Sequence, residues 1–272
     1  MSNSSREVPH TAVMHPHVSV GERLLLLFCR TPGTGDYRTT TASYTLENSL
    51  KFPLKTIPNL DSLIKDQLIL DYGCGHGWQA VAFKKRGARA VVGVDISEDR
   101  LAHGRALAAR EGCGDAVTFS RQVPAELAGR FDVVLSLSAF EHFADPAAEL
   151  EAMKKAVRPG GRVVVSFAEP WLSPHGSHMV HFTRLPWVNV FFSERTIMRV
   201  RSRFRDDGAE RYEEVEGGLN RMTLARFERI IRASGMTIET LRFYPVKGLP
   251  LVSALPVVRE FFTAAACCIL RK

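Results

Sequence analysis

The sequence predicts an α/β protein whose central β-sheet is mainly parallel and is covered by helices on both faces. Two observations carry this prediction. From residue 67 onward, short runs of Val, Ile and Leu alternate with segments of helical periodicity. Hydrophobic residues make up 45% of the 272 residues, which is enough to fill a sizeable core and excludes a wholly disordered chain.

The chain divides into three parts along its length. Residues 1–20 are polar and rich in Ser, His and Pro, and this composition predicts a flexible tail. Residues 21–66 mix short apolar runs with Pro and Gly, and we expect a helical segment there. The main domain is then expected to span residues 67–272.

The first five strands are predicted from apolar runs that end at turn or capping residues. The helix after the first strand stops at Gly87, and Ser97 is placed to cap the next helix. Asp145 followed by Pro146 is a typical helix start. The five predicted strands span residues 67–72, 90–95, 116–120, 131–137 and 162–167.

The alternation stops after the fifth predicted strand. Residues 170–222 are rich in His, Trp, Phe and Arg, and we expect this long insertion to form a cap. Thr223 is placed to cap a helix that ends at Gly235. Residues 237–244 and 262–270 can supply the last two strands, as an antiparallel pair at the edge of the sheet.

A glycine cluster lies where the first strand passes into the first helix of the domain. Gly73, Gly75 and Gly77 would let the backbone approach a ligand at the carboxyl edge of the sheet. Their G-x-G-x-G spacing differs from the dinucleotide fingerprint, which disfavours an oxidoreductase. Asp71, just before the first glycine, suits a ligand with an ammonium and a sulfonium group. Asp95, at the end of the second strand, can accept both hydroxyls of a ribose.

These motifs resemble those of the class I S-adenosylmethionine-dependent methyltransferases. The resemblance rests on DYGCGHG, VDIS, FDVVLSLS and RPGGRVVVS and covers roughly residues 65–168. It implies a seven-stranded sheet in the order 3-2-1-4-5-7-6 and S-adenosylmethionine as the cofactor.

The resemblance also implies roles for individual residues. The methionine end of the cofactor would lie on the glycine turn and beside Ser136, which we expect just after the fourth strand. Ile96 would pack on the adenine, and Gln122 would stand where many relatives have an acid for the adenine amino group. The candidate cofactor-binding residues are Asp71, Gly73, Cys74, Gly75, Asp95, Ile96, Gln122 and Ser136.

Candidates for catalysis follow the fourth strand and lie in the insertion. Glu141 and His142 are in a segment resembling E-H-x-x-D-P of small-molecule methyltransferases, and His178 is the candidate from the cap. The alternative is that Glu141 and His142 only anchor a loop. In ubiquinone-pathway O-methyltransferases a similar segment binds a metal with a further Glu, but Ser138 stands at that place here. We therefore expect no metal.

Aromatic and basic residues of the insertion have two interpretations each. The aromatic residues could wall an apolar acceptor pocket or pack the cap onto the domain. The arginines of residues 195–205 could meet an anionic acceptor or membrane surface, or could pair with the acids that follow them. The aromatic residues are Trp171, Phe182, Trp187, Phe191 and Phe192, and the arginines are Arg195, Arg199, Arg201, Arg203 and Arg205.

Composition limits the partners and the compartment. The net charge is +7, and residues 171–272 carry most of it with an excess of six basic residues. This excess is too mild to predict nucleic-acid binding, and we expect at most peripheral membrane contact. Five scattered cysteines indicate reduced thiols, and with no signal peptide they favour the cytoplasm. The sequence does not determine the oligomeric state.

The function that these patterns favour is transfer of a methyl group to a small-molecule or lipid-like acceptor, on oxygen. An RNA or protein methyltransferase is an alternative, although no N-P-P-Y or D-P-P-Y tetrapeptide follows the fourth strand. A non-catalytic module that only binds the cofactor is a further alternative, and the intact glycines and Asp95 argue against it.

Overall fold

The computed structural model describes residues 18–30, 45–247, 255 and 258–272. Most of the predicted tail lies outside these residues. Within the described part, the strands are β1 (Leu68–Tyr72), β2 (Ala90–Val94), β3 (Val117–Ser120), β4 (Phe131–Leu137), β5 (Val157–Ala168), β6 (Thr237–Pro245) and β7 (Thr263–Arg271).

These strands form one sheet in the order β3-β2-β1-β4-β5-β7-β6, which confirms the predicted fold class. The first five strands are parallel, with Leu70 of β1 opposite Val92 of β2 and Val134 of β4. β7 runs antiparallel to both β5 and β6, as the edge pair was expected to. The order reverses between β1 and β4, so a crevice opens at the carboxyl ends of these strands.

Helices cover both faces of the sheet. The helices of the described residues are α1 (Val20–Leu26), α2 (Lys51–Thr56), α3 (Leu60–Ile64), α4 (Trp78–Lys85), α5 (Glu98–Arg110), α6 (Pro146–Ala156), α7 (Val188–Phe191), α8 (Glu194–Arg201) and α9 (Leu224–Ala233). Ile69 of β1 packs in the core under α2–α5, whereas its neighbour Leu70 packs under α6 and α9. Strand residues alternate in direction, so β1 contributes to both cores.

Three of the predicted helix caps are present. The Ser97 side chain accepts from the backbone N–H of Arg100, and the Thr223 side chain accepts from that of Arg226. The Asp145 carboxylate accepts from two backbone N–H groups at the start of α6, directly before Pro146. Each cap satisfies donors that have no partner inside the helix.

Two predicted boundaries differ from the structure near the sheet. β5 begins at Val157, earlier than residue 162, because Val157 already pairs with Phe131 of β4 ahead of an irregularity in the ladder. The preceding helix α6 ends at Ala156, and α9 ends at Ala233 rather than at Gly235.

The insertion at residues 170–222 has its own small core. Phe182 is fully buried there and stacks on Phe204 with ring centroids 5.3 Å apart, while Trp171 lies edge-on to Tyr212. Packing is therefore the role that the structure gives these two aromatic residues. Leu25 of α1 is buried in the same cluster, so α1 packs on the cap and not on the sheet.

The arginines of the cap point in different directions. Arg199 lies 3.3 Å from the Glu22 carboxylate of α1, and Arg205 lies 3.6 Å from that of Glu216. The buried Arg201 guanidinium donates two hydrogen bonds to Asp207, which lowers the pKa of that carboxyl to about 2. All three arginines form ion pairs. Arg201 pairs with an acid of the predicted group, whereas the partner of Arg199 lies in α1 and that of Arg205 is Glu216.

Among the described residues, no helix combines the length and the apolar character that are needed to cross a bilayer.

Candidate active site

The glycine turn connects β1 to α4 at the crevice. Gly73, Gly75 and Gly77 all have positive φ, at 80°, 52° and 78°. The backbone N–H groups of Gly73 and Cys74 both donate to the carbonyl of Val94, at 2.8 and 2.9 Å, which ties the turn to the end of β2. The left-handed backbone favours glycine at all three positions.

The three glycines differ in what surrounds them. A Cβ on Gly73 would lie 2.7 Å from the Cβ of Ala139, and one on Gly77 would lie 2.7 Å from the Phe119 ring. A Cβ on Gly75 would meet nothing within 4 Å. Gly73 and Gly77 therefore allow close packing, whereas Gly75 faces the open space of the crevice.

Asp95 lies beside this open space. Its Oδ2 accepts from the backbone N–H of Gly75 at 2.9 Å, and its Oδ1 accepts from that of Ser97 at 2.9 Å. Each carboxylate oxygen keeps a second lone pair for a ligand hydroxyl. Ile96, the next residue, is 84% exposed and offers an apolar surface at the same edge.

Asp71 is buried at the end of β1. The backbone N–H of Ala80 donates to its carboxylate, and its Oδ2 has no hydrogen-bond partner among the described residues. Burial, together with the nearby charge of Asp95, raises the pKa of Asp71 to about 7. A cationic group of a ligand would supply the missing partner and favour the ionised form.

Three other residues that were predicted to bind the cofactor present no side-chain group to the crevice as clearly as Asp71 and Asp95 do. Cys74 is buried, and burial raises the pKa of its thiol, so it packs rather than reacts. The Gln122 side chain is exposed beyond β3, and its backbone carbonyl accepts from the Ser120 hydroxyl. Ser136 was expected just after the fourth strand, but it lies inside β4 and is fully buried.

Unusual backbone conformations mark the ends of β4 and β5. Ser138 and Glu169 follow these strands with φ of 54° at both residues, and His178 of the cap has φ of 56°. Non-glycine residues rarely adopt this region, and such residues concentrate at functional sites. They turn the chain at the edge where the cap meets the sheet.

His142 and His178 come together at this place. Their ring centroids are 5.7 Å apart and the rings are nearly perpendicular, at 79°. His142 Nδ1 lies 2.6 Å from the Gly218 carbonyl, which accepts, so Nδ1 carries the hydrogen and the neutral ring keeps Nε2 as its acceptor. His178 Nε2 is 3.9 Å from Glu169 Oε2.

Two carboxyl groups share this region with the histidines. Burial raises the pKa of Glu141, and burial followed by the nearby Glu141 charge raises the pKa of Glu169 to about 7. Burial and the neighbouring His142 lower the pKa of His178 to about 4. At neutral pH, His178 is therefore uncharged and Glu169 is close to its titration midpoint.

Sequence reasoning missed Glu169 and Asn220. The signal for Glu169 was its position after a strand in SFAEP, at the same edge as Glu141. Asn220 holds the loop after β4. Its Nδ2 donates to the carbonyls of Phe140 and Phe143, both at 2.8 Å. Its backbone N–H donates to the Glu141 carbonyl at 3.0 Å. No pattern pointed to Asn220, because its partners lie far away in the sequence.

The cap closes over both sides of the crevice. Glu216 lies 3.7 Å from the Arg100 guanidinium of α5, near the glycine turn, and a Cβ on the adjacent Gly217 would lie 3.4 Å from His142 Nδ1. Among the described residues, no three His, Cys, Asp or Glu side chains are arranged to hold a metal ion.

The strand order, the glycine turn and the carboxylate at the end of β2 define a class I, S-adenosylmethionine-dependent methyltransferase fold. The chain belongs to the methyltransferase domain family, whose model matches residues 42–241, and the predicted resemblance is confirmed. S-adenosylmethionine is the cofactor of this class.

Comparison with known proteins adds relatives and a fold match. A ubiquinone biosynthesis O-methyltransferase of Pseudomonas aeruginosa is 39% identical over 102 residues, which are 36% of this chain and 43% of that protein. One of Acinetobacter baumannii is 40% identical over 103 residues, 36% of this chain and 42% of that protein. The chain thus matches less than half the length of these relatives.

A solved structure supports the fold. The S-adenosylmethionine-dependent methyltransferase from Mesorhizobium loti superposes with a TM-score of 0.55 at 21% identity, covering 84% of this chain and 100% of that one. At this identity the likeness concerns the fold, and the reaction has to be argued from the site.

Proposed function

We propose that this chain transfers a methyl group from S-adenosylmethionine to an oxygen atom of a small-molecule or lipid-like acceptor. The observation that carries the proposal is the group of ionisable side chains where the ends of β4 and β5 meet the cap: Glu141, His142, Glu169 and His178. The loop that carries two of them touches the glycine turn where Ala139 meets Gly73. Acid–base groups thus stand next to the cofactor cradle.

The cofactor cradle fits S-adenosylmethionine in three respects. The unpartnered oxygen of Asp71 suits the ammonium group, the space over Gly75 admits the amino acid part, and Asp95 can accept the ribose hydroxyls. When bound, the cofactor supplies a methyl group that its sulfonium centre has already activated. The protein has to align the acceptor and remove its proton.

His142 is the residue that we assign as the general base. Its Nδ1–H is committed to the Gly218 carbonyl, so Nε2 is the atom that takes the proton of an acceptor hydroxyl. Glu169, with its pKa raised to about 7, can take up a proton near neutral pH and lies 3.9 Å from His178. The Asn220 side chain holds the loop in place, and the Gly218 carbonyl holds the ring.

The relatives support oxygen as the methylated atom. Both curated relatives are named ubiquinone biosynthesis O-methyltransferases, and their matches reach roughly a third of this chain. The absence of a nucleic-acid substrate stays a prediction, and RNA retention that weakens with salt would contradict it.

A turnover assay with labelled S-adenosylmethionine and a panel of phenols and hydroxylated lipids tests the proposal. We expect a labelled O-methyl product, with kcat about 10²–10⁴-fold lower in His142→Gln and an unchanged cofactor Kd. His181→Gln, which changes a histidine that packs on Phe182 in the cap, is the matched control and should keep its kcat. Full kcat in His142→Gln, or labelling of RNA or protein alone, would contradict the assignment.

A further inference from the structure

The helix α1 has apolar side chains on two opposite sides. Its inner side carries Leu25 into the core of the cap. Its outer side and the residues that follow present Val20, Leu24, Leu27 and Phe28, which are 74%, 49%, 77% and 52% exposed. These positions follow helical spacing and lie on one face. Exposed apolar faces of this kind mark interaction surfaces.

A neighbouring part of the cap is also apolar and exposed. α7 packs on α8, as α1 does, and Val190 and Phe191 are among the exposed large hydrophobic side chains of the described residues. The outer surface of the cap therefore has apolar side chains on two separate helices.

The two segments that carry these apolar side chains have exposed charges of one sign. The exposed charged residues of segments 18–30 and 184–203 are arginines, and the two acids of these segments have partners within the protein. Glu22 is buried against Arg199, and Glu194 accepts from Arg221. The exposed arginines are Arg23, Arg30, Arg184, Arg195 and Arg203.

A cavity of about 240 Å³ opens between α1 and α8. It is lined by Arg195 and Arg199, by the hydroxyls of Ser19 and Thr196, and by Glu22. The Glu22 carboxylate is already bound by Ser19 at 3.1 Å and by Arg199 at 3.3 Å. The Arg195 guanidinium and the remaining N–H groups of Arg199 are donors of the kind that a phosphodiester accepts from.

We propose that the outer face of α1, with the cavity between α1 and α8, docks this chain on a membrane whose lipids carry anionic phosphodiester headgroups. The apolar side chains insert at the boundary between headgroups and acyl chains, while the arginines form ion pairs with the phosphates. Interfacial amphipathic helices bind membranes in this way. A second copy of the chain fits less well, since a twofold contact would oppose one arginine-rich rim to another. This docking does not depend on methyl transfer.

Vesicle co-sedimentation of the full chain tests the docking. Vesicles of phosphatidylcholine are compared with vesicles in which phosphatidylglycerol replaces part of it. We expect binding to the anionic vesicles that weakens with salt, and at least about tenfold weaker binding of the Leu24→Gln/Leu27→Gln variant. Arg195→Gln should bind more weakly and with a reduced dependence on salt.

Matched controls separate docking from folding. Leu54→Gln changes an exposed leucine of α2, away from the cap, and Arg110→Gln changes an exposed arginine of α5. Both should bind vesicles like the unmodified chain, and cofactor Kd and thermal midpoint should be unchanged in every variant.

Three results would overturn the proposal. They are no binding to anionic vesicles, equal binding to both kinds of vesicle, and binding that the α1 variant leaves unchanged. A dimer in solution that dissociates in Leu24→Gln/Leu27→Gln, without vesicle binding, would assign the face to self-association instead. Turnover of a water-soluble acceptor, measured without vesicles, reports on the proposed enzymatic function separately.

Discussion

The two sides of the crevice are built in different ways. The cofactor side comes from one short stretch, residues 71–97, and its contacts run mostly through backbone N–H groups held by left-handed glycines. The proposed acceptor side brings together side chains from the loop after β4, from the end of β5 and from the cap. A single substitution can therefore disrupt the cofactor side alone, whereas the proposed acceptor side depends on packing between distant segments.

The largest expected effect concerns the cofactor side alone. Asp95→Ala removes the carboxylate that orders Gly75 and accepts ligand hydroxyls, so we expect a cofactor Kd raised about 100-fold or more, measured by calorimetry. Asp99→Ala removes an exposed carboxylate from the adjoining helix α5 and should leave the Kd unchanged. Equal losses in the two variants would mean that charge alone, and not the position of Asp95, matters.

The next effect separates two glycines of the same turn. Gly73→Ala places a methyl group 2.7 Å from Ala139 in a left-handed backbone, and we expect it to cost about 2 kcal/mol of unfolding free energy. Gly75→Ala meets no neighbour within 4 Å and should cost about 1 kcal/mol for the backbone conformation. Denaturant unfolding measures both, and a larger cost at Gly75 would contradict the packing argument.

A smaller effect is expected from the hydrogen bonds of Asn220, which hold the loop of the proposed acceptor side. Asn220→Ala removes the donors to the Phe140 and Phe143 carbonyls, which should lower the unfolding free energy by about 1–2 kcal/mol and reduce kcat without changing the cofactor Kd. Asn189→Ala removes one such hydrogen bond, to the Trp171 carbonyl, within the cap. It should destabilise the protein by about half as much and keep its kcat. A similar loss of kcat in Asn189→Ala would show that Asn220 has no special role in positioning the loop.

The smallest effect is a dependence of stability on pH. The pKa of Glu169 is raised from its ordinary value of 4.5 to about 7, so the folded state binds this proton more tightly than the unfolded chain. Its contribution is complete below about pH 4.5 and is lost as the pH rises through 7.

Comparison of the unmodified chain with Glu169→Gln isolates this contribution. The difference in unfolding free energy should decline between pH 4.5 and 7, by no more than about 1 kcal/mol because 38% of the side chain is exposed. Asp71 changes in the same direction and is present in both proteins, so it cancels. A difference that grows with pH would contradict the assignment.

Patterns in the sequence predicted the strand order, three helix caps and the glycine turn with Asp95 beside it. The cofactor-binding roles of the individual residues stay predictions. The glycine spacing, Asp95 and the capping residues Ser97, Asp145 and Thr223 act on neighbours a few residues away, so their identity and spacing were sufficient. The edge pair β6 and β7 was also foreseen, from two apolar runs after the last helix.

How the proposed acceptor side and the outer surface of the cap are assembled was visible in the folded chain and not in the sequence. Nothing near Glu169 or Asn220 in the sequence shows that they meet Glu141 and the loop after β4, and the apolar pattern of α1 does not say which core it joins. Contacts between distant segments depend on how complete helices and strands pack together, and local sequence patterns do not specify that packing.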